Sequence, residues 1–407
     1  MILLIISLRY KSIASIFIIL QLISVLGSFL IGTRFHVEPE VKIFGAITSA
    51  VFLTFTILPW FKFNGITDIY YKRKNKLKRL TYFLLLLSVI PFITFSITSV
   101  IVITVIENIN EFKYTASGEA STEFFYTMLP FNVKLLIFSN YLFNISYFLI
   151  PLHFFYLSKK RYVLSFFCFL FSLNIVLYGL TYFSRAMITH YLLIYLTLLI
   201  LLYNTFSRKI QKVVKVFSIF MLIISSAYFV NISQDRFSEN TYYASKIPSD
   251  AIVKDPVLYS YFSYLSQWHS NSVYLIKEYN FNTFNGFISL QPVLQILSRY
   301  GLVNYDYNTY ETLRKILWPK HYANFNGLTA YSIYDYGIFL TLLLSGIYYI
   351  RVIFYKPINN KIPLVRLFPI VLLIQLPLFA IFYSAVSAII LPFLFMIPIY
   401  LYCRVTL

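Results

Sequence analysis

Apolar stretches of about 20 residues recur along the whole chain, and they constrain the fold more than any other feature of the sequence. A helix of that length crosses the hydrocarbon core of a bilayer, which is roughly 30 Å thick. Of the 407 residues, 59% are apolar and 12% are charged, whereas soluble domains are about half apolar and one quarter charged. The chain is therefore predicted to be an all-α, polytopic transmembrane protein in which residues 1–407 form a single integral membrane domain.

About ten transmembrane helices are expected from the lengths of these apolar stretches. Their approximate bounds are 12–32, 43–61, 81–106, 135–157, 163–183, 187–204, 214–232, 333–355, 367–384 and 386–403.

The net charge of +19 would suit a nucleic-acid partner, but the placement of the basic residues argues against one. With the amino terminus on the cytoplasmic side, the inner segments hold 21 of the 34 basic residues and only one acid, Asp68. Short cytoplasmic loops are enriched in Lys and Arg. The sequence therefore predicts a multi-pass protein with both termini in the cytoplasm and no nucleic-acid ligand.

Residues 233–330, between the seventh and eighth predicted spans, form one long segment on the outer side of the membrane. A connection of this length without a low-complexity tract is expected to be folded and functional. Helix-like apolar spacing covers residues 256–279 and 286–300. Asn308 with Glu311 is typical of a capped helix start, and this helix is expected to end near Trp318.

Three arginines are candidates for binding a lipid-linked phosphate. Arg185 follows Ser184 at the outer junction of two predicted spans, where a guanidinium is costly unless it reaches lipid headgroups or binds an anion. Arg236 lies just after a span, and Arg299 ends an apolar stretch of the long segment. The planar guanidinium suits phosphate oxygens, although headgroup contact or exposure to solvent is the alternative explanation for each.

His269, His321 and Asp335 are the candidate acid–base residues. Histidine can deprotonate a hydroxyl near neutral pH, although a lone histidine is more often structural. Asp335 lies where the long segment re-enters an apolar span, and a carboxylate there needs a partner or a task. It either pairs with Arg185 or Arg299 as a structural bridge or orients an acceptor hydroxyl.

Several catalytic motifs do not occur in the sequence. There is no P-loop, no His-Glu-x-x-His and no Gly-x-Ser-x-Gly, which argues against ATP-driven transport, a zinc protease and a serine hydrolase. An outer Asp-x-Asp pair, typical of metal-dependent enzymes that use nucleotide sugars, is also absent. We therefore expect no nucleotide and no metal cofactor.

Three groups of residues resemble the bacterial oligosaccharide repeat-unit polymerases of O-antigen and capsule assembly, often called the Wzy family. Ser184-Arg185 is similar to the family's Ser/Gly-Arg junction, and Asn285-Gly286-Phe287 leads into an apolar helix as the family's loops often do. Asn326-Gly327-Leu328-Thr329, followed by Tyr334-Asp335-Tyr336-Gly337, resembles the family's Asn-x-x-Thr and Tyr-x-Asp-Phe-Gly pattern. The resemblance covers about residues 180–345, with Tyr336 replacing the usual Phe and Leu340 standing where a second glycine is common.

The resemblance implies a metal-independent glycosyltransferase in the bacterial cytoplasmic (inner) membrane. It would join undecaprenyl-diphosphate-linked oligosaccharide units into O-antigen or capsular polysaccharide at the outer face, beside membrane lipid, with a flippase and a chain-length regulator as partners. Asn326, Thr329 and Tyr331 would bind substrate together with Arg185, Arg236 and Arg299. The base would come from His321, His269 or Asp335.

Three other functions remain open at the level of sequence. A flippase or other transporter of lipid-linked oligosaccharides should show internal repeats and charges at mid-span, and clear repeats are not visible. A ligase of the O-antigen type, or another lipid-dependent glycosyltransferase, is barely separable from a polymerase by sequence. The third possibility is a membrane scaffold without enzymatic activity.

Overall fold

The computed structural model describes residues 12–32, 39–105, 127–237, 247–305, 325–382 and 384–404, together with the single residues 125, 245 and 312. Helices account for most of them, as the sequence predicts. Two compact units emerge, each built from separate stretches of chain: the first from Met1–Gly65, Lys212–Lys356 and Leu373–Ile390, the second from Ile66–Gln211, Pro357–Leu372 and Leu391–Leu407. The single membrane domain stays a prediction.

The helices alternate with short turns in chain order. They are α1 (Ala14–Leu30), α2 (Pro39–Ile57), α3 (Lys74–Val105), α4 (Val133–Leu142), α5 (Ser146–Ser158), α6 (Tyr162–Ser172), α7 (Asn174–Thr181), α8 (Arg185–Leu202), α9 (Arg208–Phe237), α10 (Pro256–Ser266), α11 (Trp268–Glu278), α12 (Phe287–Arg299), α13 (Gly327–Phe354), α14 (Leu364–Leu373), α15 (Gln375–Phe379) and α16 (Val386–Arg404). Short 3-10 turns cover Leu58–Lys62, Phe143–Ile145 and Tyr203–Thr205.

Seven helical stretches within the described residues are long and apolar enough to cross a membrane. They are Lys42–Lys62, Lys74–Val105, Val133–Ser158, Tyr162–Thr181, Ala186–Thr205, Gly327–Phe354 and Val386–Cys403, and two shorter apolar stretches cover Ala14–Leu30 and Leu364–Phe379. The predicted span 214–232 lies within the 30 residues of α9. Every predicted span thus coincides with helix, while the number of membrane crossings stays a prediction.

Two predicted spans are interrupted because an asparagine side chain bonds to a backbone carbonyl, a contact that competes with regular helix. In the span 135–157, Asn144 Nδ2 donates to the carbonyl of Tyr141 at 2.8 Å, at the 3-10 turn between α4 and α5. In the span 163–183, Leu173 separates α6 from α7, and Asn174 Nδ2 donates to the carbonyl of Ser88 at 3.0 Å.

A proline interrupts the predicted span 367–384, whose helix starts at Leu364 and ends at Phe379. Pro377 has no backbone N–H, so it cannot donate to the carbonyl of Leu373 one turn earlier. The hydroxyl of Tyr348 donates to that carbonyl instead, at 3.0 Å. The break between α14 and α15 therefore leaves this backbone oxygen satisfied.

The outer segment contains the short helices that its apolar spacing predicts. Residues 256–279 form α10 and α11, which are separated at Gln267, and residues 286–300 contain α12. The helix expected from Asn308 falls outside the described residues apart from Thr312. Since α9 extends to Phe237 and α13 begins at Gly327, helix replaces the predicted segment at both of its ends.

One parallel strand pair belongs to the second unit. Strand β1 (Asp68–Tyr70) pairs with β2 (Lys361–Pro363), with Asp68 opposite Lys361 in the register. Asp68 also accepts a hydrogen bond from Lys159 Nζ at 2.7 Å. The connections before α3 and before α14 are therefore joined by backbone and side-chain contacts.

The core of the first unit is built around Trp60, which is fully buried. Its ring packs edge-on against Phe17 and lies 4.8 Å, centroid to centroid, from Phe63. Its indole N–H donates to the hydroxyl of Tyr348 at 2.8 Å. Because this donor is satisfied inside the core, the large ring can be buried there.

Candidate functional site

The start of α13 lies directly against α11 in the first unit. The amide of Gly327 donates to the carbonyl of Phe382, and the amide of Leu328 donates to that of Ala380 at 2.9 Å. Gly327 has a φ of +71°, and a Cβ at this position would lie 2.7 Å from Cε3 of the Trp268 ring. The close approach and the positive φ together require glycine at residue 327.

Asn326 and Thr329 flank this glycine, and both side chains are almost completely buried, at 0% and 1% exposure. Within the described part of the chain, neither the amide of Asn326 nor the hydroxyl of Thr329 has a hydrogen-bond partner. A buried polar group without a partner costs about 1–3 kcal/mol, and such groups are few in native proteins. The two residues therefore hold hydrogen-bonding capacity that the described fold leaves unused.

Asn271 on α11 adds a third buried amide to the same place. Its Nδ2 donates to the carbonyl of Phe325 at 2.7 Å, which joins α11 to the residue before Asn326. Its Oδ1 is buried and has no hydrogen-bond partner among the described residues. We call Asn271, Asn326 and Thr329 the amide cluster.

His269 lies on the same helix as Asn271, and its Nε2 is 3.1 Å from the hydroxyl of Ser24 on α1. That hydroxyl donates its one hydrogen to the carbonyl of Leu265 and accepts the indole N–H of Trp268 at 2.7 Å. Its remaining lone pair can only accept. Nε2 of His269 therefore carries the proton, and the neutral ring offers an unprotonated Nδ1.

Burial lowers the pKa of His269 from 6.5 to about 4. The ring of Trp268 contributes to that burial, since the two ring centroids are 3.9 Å apart. No hydrogen-bond partner of Nδ1 occurs among the residues that the structure describes. At neutral pH the side chain is thus an uncharged acceptor, which is the form that a general base requires.

Asp335 binds the amino-terminal end of α12. Its Oδ1 accepts the backbone N–H of Ile288 at 3.0 Å, and its Oδ2 accepts that of Ser289 at 2.9 Å. A carboxylate at this position satisfies backbone donors that the helix cannot satisfy itself and lies at the positive end of the helix dipole. No arginine contacts Asp335 among the described residues, so the predicted ion pair with Arg185 or Arg299 is replaced by a helix cap.

The backbone of α13 breaks just after Asp335, at Gly337, where φ is 78° and ψ is 166°. The exposed carbonyls find partners outside the helix: that of Tyr334 accepts from Phe284 at 2.8 Å, and that of Asp335 accepts from Gly286 at 2.9 Å. The hydroxyl of Thr341 donates to the carbonyl of Ser332 at 2.8 Å. The connection before α12 is therefore attached to the kink of α13.

The other predicted site residues have different surroundings. Tyr331 is partly buried and packs against the core cluster of Leu275, Phe284, Ala330 and Tyr334. Arg299 is exposed at the end of α12. Arg185 begins α8 and Arg236 lies in the last turn of α9, in both cases without a described side chain, and His321 lies outside the described residues.

The structure thus brings together Asn326, Thr329 and His269 through their neighbours on α11 and α13. Sequence reasoning missed Asn271, Ser24 and Trp268, which complete this place. A hydroxyl in the middle of the apolar α1 was the one signal that could have pointed to Ser24. No three His, Cys, Asp or Glu side chains within the described ranges lie close enough together to hold a metal ion.

Searches of protein-family models, curated proteins and solved structures gave no match to this chain. The resemblance to the repeat-unit polymerases therefore rests on the residues quoted above.

Proposed function

We propose that the chain is a polymerase that joins undecaprenyl-diphosphate-linked oligosaccharide repeat units into O-antigen or capsular polysaccharide. The observation that carries the proposal is the amide cluster beside His269. Amide and hydroxyl groups without protein partners suit a ligand rich in hydroxyl groups, because each can exchange a hydrogen bond with it. The neighbouring ring of Trp268 adds an apolar wall, and sugars present both kinds of surface.

The reaction needs a hydroxyl nucleophile and a stabilised leaving group. The acceptor hydroxyl attacks the anomeric carbon of the donor glycan, a new C–O bond forms, and the bond from that carbon to the diphosphate oxygen breaks. The hydroxyl proton passes to a base, and undecaprenyl diphosphate leaves with the bonding electrons. Direct displacement would invert the anomeric centre.

His269 is the first choice for the base, because its Nδ1 is unprotonated at neutral pH and lies on the helix that carries Asn271. His321 remains the alternative base. We assign Asn326, Thr329 and Tyr331 to sugar binding, and Asp335 to positioning α12 rather than to proton transfer, because both of its oxygens already accept backbone N–H groups.

Arg185, Arg236 and Arg299 are proposed to bind the diphosphate. Guanidinium groups in a site of low dielectric neutralise charge that develops on a leaving group, as a metal ion does elsewhere. Under this proposal the chain crosses the bacterial inner membrane about ten times, with both termini in the cytoplasm and the long segment outside. A flippase would supply its substrate, and a chain-length regulator would act beside it.

The test is incubation of the purified protein with lipid-linked repeat units, in the absence of nucleotide and metal, followed by gel electrophoresis. The variants are Asn326→Ala and Thr329→Val. The matched control is Thr48→Val, which removes a hydroxyl that bonds within its own helix, to the carbonyl of Phe44 at 2.9 Å.

A ladder spaced by one repeat unit, retained in Thr48→Val and reduced at least tenfold in the other two variants, is the expected result. Transfer of preformed glycan to a different lipid acceptor would favour a ligase. Movement of lipid-linked oligosaccharide across vesicles without any product would favour a flippase. Either of these outcomes would contradict the polymerase proposal.

A further inference from the structure

An apolar cavity lies within the second unit, between α3, the junction of α4 and α5, and α16. Its volume is about 600 Å³, which falls in the roughly 300–1,000 Å³ range of ligand pockets in proteins. The wall consists of large apolar side chains with one charged residue, Arg79. The lining residues are Arg79, Leu80, Phe83, Leu84, Leu87, Leu142, Ile145, Phe395, Pro398, Ile399 and Tyr402.

The three helical stretches that form this wall are among those long and apolar enough to cross a membrane: Lys74–Val105, Val133–Ser158 and Val386–Cys403. Leu84 and Ile399 are buried within the wall, whereas Phe83 is 57% exposed. The cavity is therefore bounded by helices whose surroundings are hydrocarbon. Its occupant must be apolar over most of its length.

Arg79 gives the cavity one charged end. Its side chain is exposed, and it has no ion-pair partner among the described residues. It belongs to a run of basic residues that begins at Lys72 and includes Arg73, Lys74 and Lys78. The nearest acid along the chain, Asp68, is already paired with Lys159. The potential at this end of the cavity is therefore positive.

Pro398 helps to explain why the wall is concave. It has no backbone N–H and cannot donate to the carbonyl of Leu394 in the preceding turn of α16. Prolines bend helices at such positions. A bent helix beside the straight walls of its neighbours leaves space that side chains do not fill.

We propose that this cavity binds one anionic phospholipid, with an acyl chain against the apolar wall and the phosphate on Arg79. A phosphate accepts charge-assisted hydrogen bonds from a guanidinium, and basic segments beside membrane helices attract anionic lipids. The site is separate from the amide cluster and does not depend on the proposed polymerase activity. It would keep a lipid with the protein through extraction from the membrane.

The test is native mass spectrometry of the full-length protein in detergent, titrated with phosphatidylglycerol or with phosphatidylcholine of the same acyl chains. Arg79→Gln removes the proposed phosphate contact, and Arg73→Gln removes an equal charge outside the cavity. Leu87→Trp fills the cavity, and Leu86→Trp places the same ring on a neighbouring side chain that is 69% exposed and does not line it.

We expect one retained phosphatidylglycerol, weaker binding of phosphatidylcholine, and a Kd about tenfold higher in Arg79→Gln but unchanged in Arg73→Gln. Leu87→Trp should abolish retention, while Leu86→Trp should not. Circular dichroism and elution volume identify a variant that has failed to fold. Equal binding of both lipids, equal effects of the two arginine variants, or full retention in a folded Leu87→Trp variant would each overturn the proposal.

Discussion

Two polar groups on α13, nine residues apart, illustrate opposite uses of buried hydrogen-bonding capacity. Asp335 uses both carboxylate oxygens inside the protein, on the backbone N–H groups of Ile288 and Ser289. Asn326 and Thr329 are just as deeply buried but use none of theirs on the described residues. Sequence analysis treated all three as site residues, and the structure divides them into a structural group and an available one.

The difference teaches where to look for chemistry in a membrane protein of this kind. An ionisable residue in an apolar span attracts attention because its burial is expensive. At Asp335 a helix terminus compensates that expense locally. The neutral amide and hydroxyl of Asn326 and Thr329 attract less attention in the sequence, yet they are the groups without compensation.

The largest expected effect is at the compensated group. Asp335→Ala leaves two buried N–H groups without acceptors, and we expect the free energy of unfolding to fall by about 3 kcal/mol. Asp335→Asn retains one acceptor oxygen and should fall by about half as much. Thermal unfolding in detergent, monitored by circular dichroism, measures both. An Asp335→Ala variant of unchanged stability would show that the cap contributes nothing.

A smaller loss of stability is expected at the glycine between the two available groups. Gly327→Ala places a methyl group against the ring of Trp268 at a positive φ, and we expect a loss of about 2 kcal/mol. Gly301→Ala is the control, because its φ is also positive but no atom lies within 4 Å of the added methyl. Similar unfolding temperatures for the two variants would mean that close packing on Trp268 is unimportant.

Two threonines of α13 give the sharpest version of the comparison. Thr341→Val leaves the carbonyl of Ser332 without its donor, and should cost about 1 kcal/mol. Thr329→Val removes a hydroxyl without a partner, so stability should be unchanged or slightly higher, while polymerising activity falls. Loss of stability in Thr329→Val would indicate a protein partner for this hydroxyl and would remove it from the proposed site.

The smallest effect concerns His269, one of whose two ring nitrogens is used. Its pKa is about 4 when folded and 6.5 in the unfolded chain, so between these values the unfolded state binds the extra proton. Stability therefore decreases as the pH falls, by about 0.7 kcal/mol from pH 7 to pH 6. His269→Gln should remove that part of the pH dependence in urea titrations. An identical pH profile would argue against a buried neutral ring.

Apolar length and period predicted where the helices lie, because membrane helices must satisfy their own backbone hydrogen bonds over a fixed thickness. Interruptions within spans were not predictable in the same way. Asn144, Asn174 and Pro377 are ordinary residues in the sequence, and only their tertiary partners show that helices break there. The division into two interleaved units likewise depends on contacts between distant parts of the chain.

The site was predicted unevenly for a similar reason. Asn326, Thr329 and His269 were found through a motif and through residue chemistry, and the structure brings their surroundings together. Ser24 and Asn271 carry no such signal, because a single serine or asyaragine in an apolar or mixed segment has many explanations. The role of Asp335 was misjudged because a backbone N–H group leaves no trace in the sequence, whereas an arginine does.

The parallel pairing of β1 with β2 has a consequence for the order of folding during synthesis. Thr67 and Asn360, which bond beside this pair, are 293 residues apart in the chain. At roughly 5–20 residues per second, the ribosome needs about 15–60 seconds to make the intervening chain. For that time the backbone groups of β1 have no partner, so the second unit can close only when synthesis is nearly complete.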